Sequence, residues 1–261
     1  MKTNLLIISL ILCGSPWQIR SQPIAPEDII IVEIHKKEID LKRNDANQKY
    51  QTQAQIEMKA LSDFLAQAIP LAKFIVIDMW VPSSLEGPGE QELLKQIQTT
   101  RRITMAAGNR NEKELTDPKF FQAMPELGHF HSKSFDSNTK SFPTVLCINS
   151  SFAWVPVEDC AESDKYRHIS LIAAEGFLGY KLDYAVTDVF DIKRKDFLRL
   201  RRMNFTEFKK DPAKIQNKLV IVQTKSAPSV NWFRMIGKKR FTGAELIGNA
   251  ILMFSKLPRK K

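Results

Sequence analysis

The sequence predicts an α/β fold, a single domain whose central, largely parallel or mixed sheet is flanked by helices. Three observations carry that expectation. The runs Ile29–Ile34, Leu71–Pro82 ("LAKFIVIDMWVP") and the segment "NKLVIVQTKSAP" are apolar and rich in β-branched residues, as strands buried on both faces are. Between the first two lies Gln48–Ala68, whose Ile56, Leu61, Phe64, Leu65 and Ala68 recur at helical spacing on one side. The opening order is therefore strand, helix, strand, helix, strand, the pattern of a parallel sheet with crossovers.

The remaining elements follow from local chemistry. "PSSLEGPGE" is a loop of turn formers, and "EQELLKQIQTT" is a short helix leading to a third strand in "RRITMAAGN". "DPKFFQAM" starts a helix with Asp117 as cap and Pro118 in its first turn. "LGHFHSKSFD" alternates as a more exposed strand would. The region around Cys147 and Cys160 interrupts regular patterning with Asn, Ser, Pro and acidic residues. "HISLIAAEGFLG" is a helix closed by Gly179. Leu182–Met203 alternates apolar and charged residues, which fits edge strands. Thr242–Ser255 is the last helix, with Ile247, Ala250, Ile251 and Phe254 forming one apolar stripe.

The chain has 261 residues, 43% of them hydrophobic, and a formal net charge of +10. That is enough for one large core, and no repeat or linker divides it. Lys2 followed by the apolar run Leu5–Cys13 has the layout of a secretory signal peptide, with cleavage expected after Ser15 or Ser21. A spanning helix needs roughly 20 apolar residues, so the run is short for an anchor. The expected organisation is a signal peptide at 1–21 and a domain at 22–261, placed in the periplasm or secreted. Without residues 1–21 the chain keeps 37 basic and 29 acidic residues, a charge of +8. No helix-turn-helix, zinc-finger or RNP-like motif accompanies that charge, so nucleic acid is not an expected partner. "KRKDFLRLRR" and the tail "LPRKK" leave a membrane-surface contact open. Two cysteines would remain, Cys147 and Cys160. In an oxidising compartment they are expected to close a disulfide, and their spacing matches no zinc motif.

Chemistry is sparse. There is no G-x-S-x-G elbow, Walker loop, G-x-G-x-x-G turn or H-E-x-x-H. Asp78 stands near the carboxyl end of an apolar strand, where open α/β sheets gather ligands. Its carboxylate is expected to accept hydrogen bonds from the loop that follows. Donors would lower its pKa, and burial without them would raise it. His129 and His131 fall two apart, so on a strand both rings would face one side; Asp136 is the nearest third group for a metal. Partly exposed strand histidines are the ordinary alternative. Lys225 and Asn231 are candidate ligand contacts with Asp78 near the strand ends. Glu245 and Asn249 share a helix face and can bond each other or a nearby loop. Gly243 lets the backbone approach its neighbours closely.

Taken in order, the segments resemble a CHASE2 domain, the extracytoplasmic sensory domain of bacterial receptors. "DIIIVEIHKKEID" resembles its opening strand, and "AKFIVIDMWVPSSLEGPGEQELLKQI" its strand, acidic end, polar loop and helix. The most specific part is "KLVIVQTKSAP" with "RFTGAELIGNAILMF", through Gly243, Glu245, Gly248 and Asn249. Ile34 and His35 stand where an acidic pair is usual in the family, and Ile247 where it often carries histidine. The resemblance covers about residues 24 to 256. It implies a sensor of an unknown small-molecule or envelope ligand, without cofactor or catalysis of its own. The chain reads as a stand-alone version, lacking the membrane spans and output domain that follow in the family, so it would act through a membrane-protein partner. Two other readings remain. One is an exported interaction protein that has lost sensing. The other is a cell-envelope hydrolase using Asp78 and His129.

Overall fold

The computed structural model describes residues 22–35, 52–79, 81, 86–109, 114–130, 133–134, 139–148, 154–155, 161, 165–225, 233–234 and 240–261. Five parallel strands form the central sheet: β1 (Ile29–His35), β2 (Phe74–Ile77), β3 (Ile103–Met105), β4 (Arg201–Asn204) and β5 (Leu219–Lys225). Their order is β4-β1-β5-β2-β3, so the last strand is inserted between the first two. Six helices lie among the described residues: α1 (Gln53–Ala68), α2 (Pro88–Ile97), α3 (Pro118–Ala123), α4 (Ile169–Leu178), α5 (Phe205–Lys210) and α6 (Gly243–Phe254).

Side chains alternate across a strand, so each strand feeds two cores. Ile30, Val32, Ile34, Ile75, Ile77, Val220 and Val222 pack with residues of α1, α2, α3 and α5. Ile29, Ile31, Phe74, Val76, Leu219 and Ile221 pack with residues of α4 and α6. This three-layer arrangement is the α/β architecture expected, and it explains why Ile29–Val32 of β1 and all of β2 are apolar on both faces.

Caps define the helix starts. Thr52 Oγ1 accepts from the Gln55 amide at the start of α1. Gly87, before α2, has no capping side chain; Gln55 supplies the acceptor instead, its Oε1 taking the Gly89 amide at 2.6 Å. Asp117 caps α3 as expected, and Pro118 occupies its first position. His168 Nδ1 accepts from the Ser170 amide at the start of α4, which ends at Gly179 with φ of 77°. Capping boxes open α5 (Asn204 with Glu207) and α6 (Thr242 with Glu245).

Two expectations need correction. The last helix was expected to bury one stripe, but eleven of the twelve residues of α6 are buried. It lies under the segment preceding β4: Asn249 Oδ1 accepts from the Leu198 amide, and its Nδ2 donates to Leu198 O and Glu245 O. Gly248 leaves room for Leu200 and Ile221, so a second surface closes over the helix. His129 was expected on an exposed strand and is fully buried. Gly128 pairs with Ala106 just beyond β3, and His129 bridges His168 under the start of α4.

The Leu182–Met203 stretch divides. Val189–Lys193 pairs with Thr139–Pro143 in a separate antiparallel sheet, while β4 is an edge of the central one. Val145–Ile148 belongs to a third small sheet, and Cys147 within it is disulfide-bonded. Cys160 lies outside the described residues.

The approach of α4 to β2 depends on a glycine. A Cβ on Gly176 would lie 2.1 Å from the buried Phe74 ring. Helix propensity alone would make Gly176→Ala stabilising by about 1 kcal/mol. Overpacking against a ring that cannot withdraw costs about 1–3 kcal/mol and is expected to win. Urea denaturation should therefore give a lower midpoint for Gly176→Ala; a higher one would mean the layers can separate there.

Candidate ligand-binding site

On the face covered by α4 and α6, the three inner strands form successive rungs. The first is Ile29, Leu219 and Phe74, and the second is Ile31, Ile221 and Val76. The third changes character. Glu33 pairs with Gln223, and the β5–β2 register, ending at Val222 and Ile77, sets Asp78 level with Gln223. Asn204 of β4 pairs with Glu33 on its other side. A polar rung therefore crosses four strands at their carboxyl ends, directly beyond two apolar ones. The next position pairs His35 with Lys225.

Most of this rung is satisfied. Glu33 Oε1 accepts from Gln223 Nε2 at 2.9 Å and from Arg202 Nη1 at 3.1 Å. Its Oε2 lies 3.7 Å from His35 Nε2. Arg202 reaches onward, placing Nη2 2.5 Å from Glu245 Oε2. Both Glu245 oxygens lie 3.0 Å from Arg199 Nη1, and Oε2 also accepts from the Thr242 amide. Arg199 in turn lies over the Phe241 ring, 4.4 Å from its centre. Glu33 and Glu245 thus balance Arg199 and Arg202 in charge. Glu245 is consumed by its cap and two guanidinium groups, a structural role.

Asp78 stands outside that balance. Its amide donates to Val222 O, which fixes the backbone in the sheet. The residue is partly exposed, yet Oδ2 is buried and accepts no hydrogen bond from the described residues. Among the described residues no donor reaches that oxygen, and residues 82–85 of the loop expected to supply one lie outside them; burial pushes the carboxyl up to about 7. Near neutrality this group exchanges between an acid that donates and a carboxylate that accepts. The positive ends of helix dipoles also point this way, since α1, α2 and α6 follow β1, β2 and β5 and run back across the sheet.

The other sequence candidates fall as follows. Lys225 closes β5 opposite His35 on the Asp78 side of the sheet, but its side chain is outside what is described. Asn231, His131 and Asp136 lie outside the described residues. Gly243 is buried in the first turn of α6, and Asn249 clamps Leu198. His129 is not brought to Asp78: β3 lies between them, and the His129 ring meets His168 edge-on at 4.9 Å. Among the described residues, no group of three or more His, Cys, Asp or Glu could hold a metal ion, and no helix is long and apolar enough to cross a membrane.

Sequence reasoning singled out Asp78 but missed Glu33, Gln223 and Arg202. A signal was present. "IIIVE", "LVIVQ" and "FIVID" each run four apolar residues into an acid or amide, in the three strands that become neighbours.

Fold and rung together define an open α/β protein of the parallel-sheet class with its polar groups collected at the carboxyl edge. Comparison with protein-family models, curated proteins and solved structures gave no match.

Proposed function

We propose that this chain is an exported sensory or ligand-binding module, without catalysis of its own, that acts through a membrane partner. The ligand would sit at the carboxyl edge, with Asp78 at its floor and Lys225 and Asn231 as flanking contacts. The observation that carries this reading is the buried Asp78 oxygen without a hydrogen-bond donor among the described residues, in a rung where Glu33 and Gln223 are already engaged. A ligand donor at that oxygen would satisfy it and favour the ionised form. The order of segments resembling a CHASE2 domain supports the sensory part of the reading.

A carboxyl with a pKa of about 7 is also suited to general acid–base work, which favours an envelope hydrolase as the second reading. Separation of His129 from Asp78 weakens the particular pair expected for it.

The test is a small-molecule thermal-shift screen of residues 22–261, repeated on Asp78→Asn. A ligand at 100 times its dissociation constant stabilises by about 2.7 kcal/mol. For a domain of this size that corresponds to a shift of roughly 5–10 °C. The expected result is a compound whose shift disappears in Asp78→Asn and which the protein leaves unchanged. Turnover lost in Asp78→Asn would establish the hydrolase instead. Shifts equal in both proteins would place the ligand elsewhere.

A further inference from the structure

The amino ends of the strands form the opposite edge of the sheet, and its charge is one-sided. Lys73, Arg102 and Lys218 stand immediately before β2, β3 and β5. The C-terminal tail comes to the same edge. Arg259 bridges Leu182, and the Lys260 amide donates to Lys181 O at 2.9 Å. That pairing holds Lys256, Arg259, Lys260 and Lys261 exposed beyond the end of α6. Arg259 lies over the Tyr180 ring at 5.3 Å and Lys73 over the Phe177 ring at 4.3 Å. Nearby acids are fewer: Asp28 pairs with Lys218 at 3.3 Å, Glu175 accepts from Lys181, and Glu27 and Asp183 are exposed.

Helix dipoles explain part of this. α1, α2, α4 and α6 all end at this edge, where cations are favourable within the last turn. Arg259, Lys260 and Lys261 lie beyond that turn, so the dipole does not account for them. The entering chain also arrives here, since the Ile24 amide donates to Ser255 Oγ at 3.2 Å.

We infer that this basic edge is a docking surface for an anionic lipid bilayer, seating the domain with its polar rung turned away from the membrane. Charge complementarity, with no helix-turn-helix, zinc-finger or RNP-like motif in the sequence, favours a bilayer over a nucleic acid. Each Lys or Arg at such a surface strengthens binding about fivefold.

The experiment uses residues 22–261 sedimented with vesicles of phosphatidylcholine alone or with one-third phosphatidylglycerol, in low and in half-molar salt. Binding is expected only to the anionic vesicles and only in low salt, because salt screens the attraction. The variant Lys256→Glu/Lys260→Glu/Lys261→Glu should lower partitioning by more than about tenfold. The control Lys193→Glu/Lys195→Glu/Lys209→Glu changes the charge equally at exposed residues outside the tail, and it should lose less than half of that effect on a logarithmic scale. Circular dichroism establishes that both variants are folded. Equal loss in the two variants would reduce the effect to net charge and overturn the proposal. So would indifference to phosphatidylglycerol, or binding to soluble polyphosphate or duplex DNA without binding to vesicles.

Discussion

Asp78→Asn is expected to stabilise the protein at pH 8 by about 2–4 kcal/mol, while changing little at pH 4. The direction follows from the shift. Burial raises the folded-state value from 3.8 to about 7, so the folded protein holds a proton that the unfolded chain has released between those values. Stability then falls as pH rises through that window and levels off above pH 7. Three pKa units correspond to about 4 kcal/mol, and the partial exposure of the residue argues for the lower part of the range. The amide of Asn cannot ionise, so the variant's urea midpoint should be nearly flat in this window. The sequence had led to the opposite sign: loss of loop hydrogen bonds in Asp78→Ala at about 1–3 kcal/mol. A lower midpoint for Asp78→Asn at pH 8 would restore that view and show that the ionised carboxylate has donors.

Why the rung escaped a linear reading is a matter of register. Glu33 fell inside the apolar run Ile29–Ile34 and Gln223 inside "NKLVIVQTKSAP", and neither was singled out. Only pairing of β1 with β5 and of β5 with β2 brings them level with Asp78. The sequence identified the parallel strands because a strand covered on both faces must be apolar throughout. The same property hides strand order, since β1, β2 and β5 present equally apolar faces to any neighbour. Insertion of β5 between β1 and β2 is a contact over nearly two hundred residues, and nothing local specifies it.

The basic run Lys193–Arg202 left a membrane-surface contact open. Lys193 and Lys195 are exposed, but Arg199 and Arg202 pair with Glu245. A buried acid in the first turn of α6 was needed to draw them in, and charge patterning alone does not reveal such a partner. For His129 the expected exposed, alternating strand does not appear: Leu127, Gly128 and His129 are all buried. Phe130 is partly exposed and His129 is buried, because His129 must face the start of α4. Caps were the most legible features. Asp117 and Gly179 act through neighbours one to four residues away, so their chemistry does not depend on the rest of the fold; the Thr242–Glu245 box is equally local but went unread.

Glu245→Ala is expected to cost about 2–4 kcal/mol, the largest loss among the polar residues of this edge. Glu245 is fully buried and joins three things at once: the capping box of α6, Arg199 and Arg202. Losing a cap costs about 1 kcal/mol. Removing one partner of a buried ion pair costs about 3–5 kcal/mol when the other is left stranded. Here the stranding is incomplete, since the Arg199 side chain is 55% exposed and can turn to water. Arg202 is more enclosed and would keep only Glu33. Glu245→Gln should fall between wild type and Ala, because an amide oxygen can still accept from the Thr242 amide but carries no charge for Arg202. Arg199→Ala should cost under about 1 kcal/mol, as an exposed partner does. Urea denaturation of the three variants tests this order. An Arg199→Ala loss as large as that of Glu245→Ala would move the weight from the cap and Arg202 to the outer guanidinium. The prediction also bears on the site, because Arg202 is shared. Without Glu245 it is free to settle on Glu33 alone, and Glu33 is the acid that holds Gln223 beside Asp78. Binding measured by thermal shift should therefore weaken in Glu245→Gln even where the protein remains fully folded.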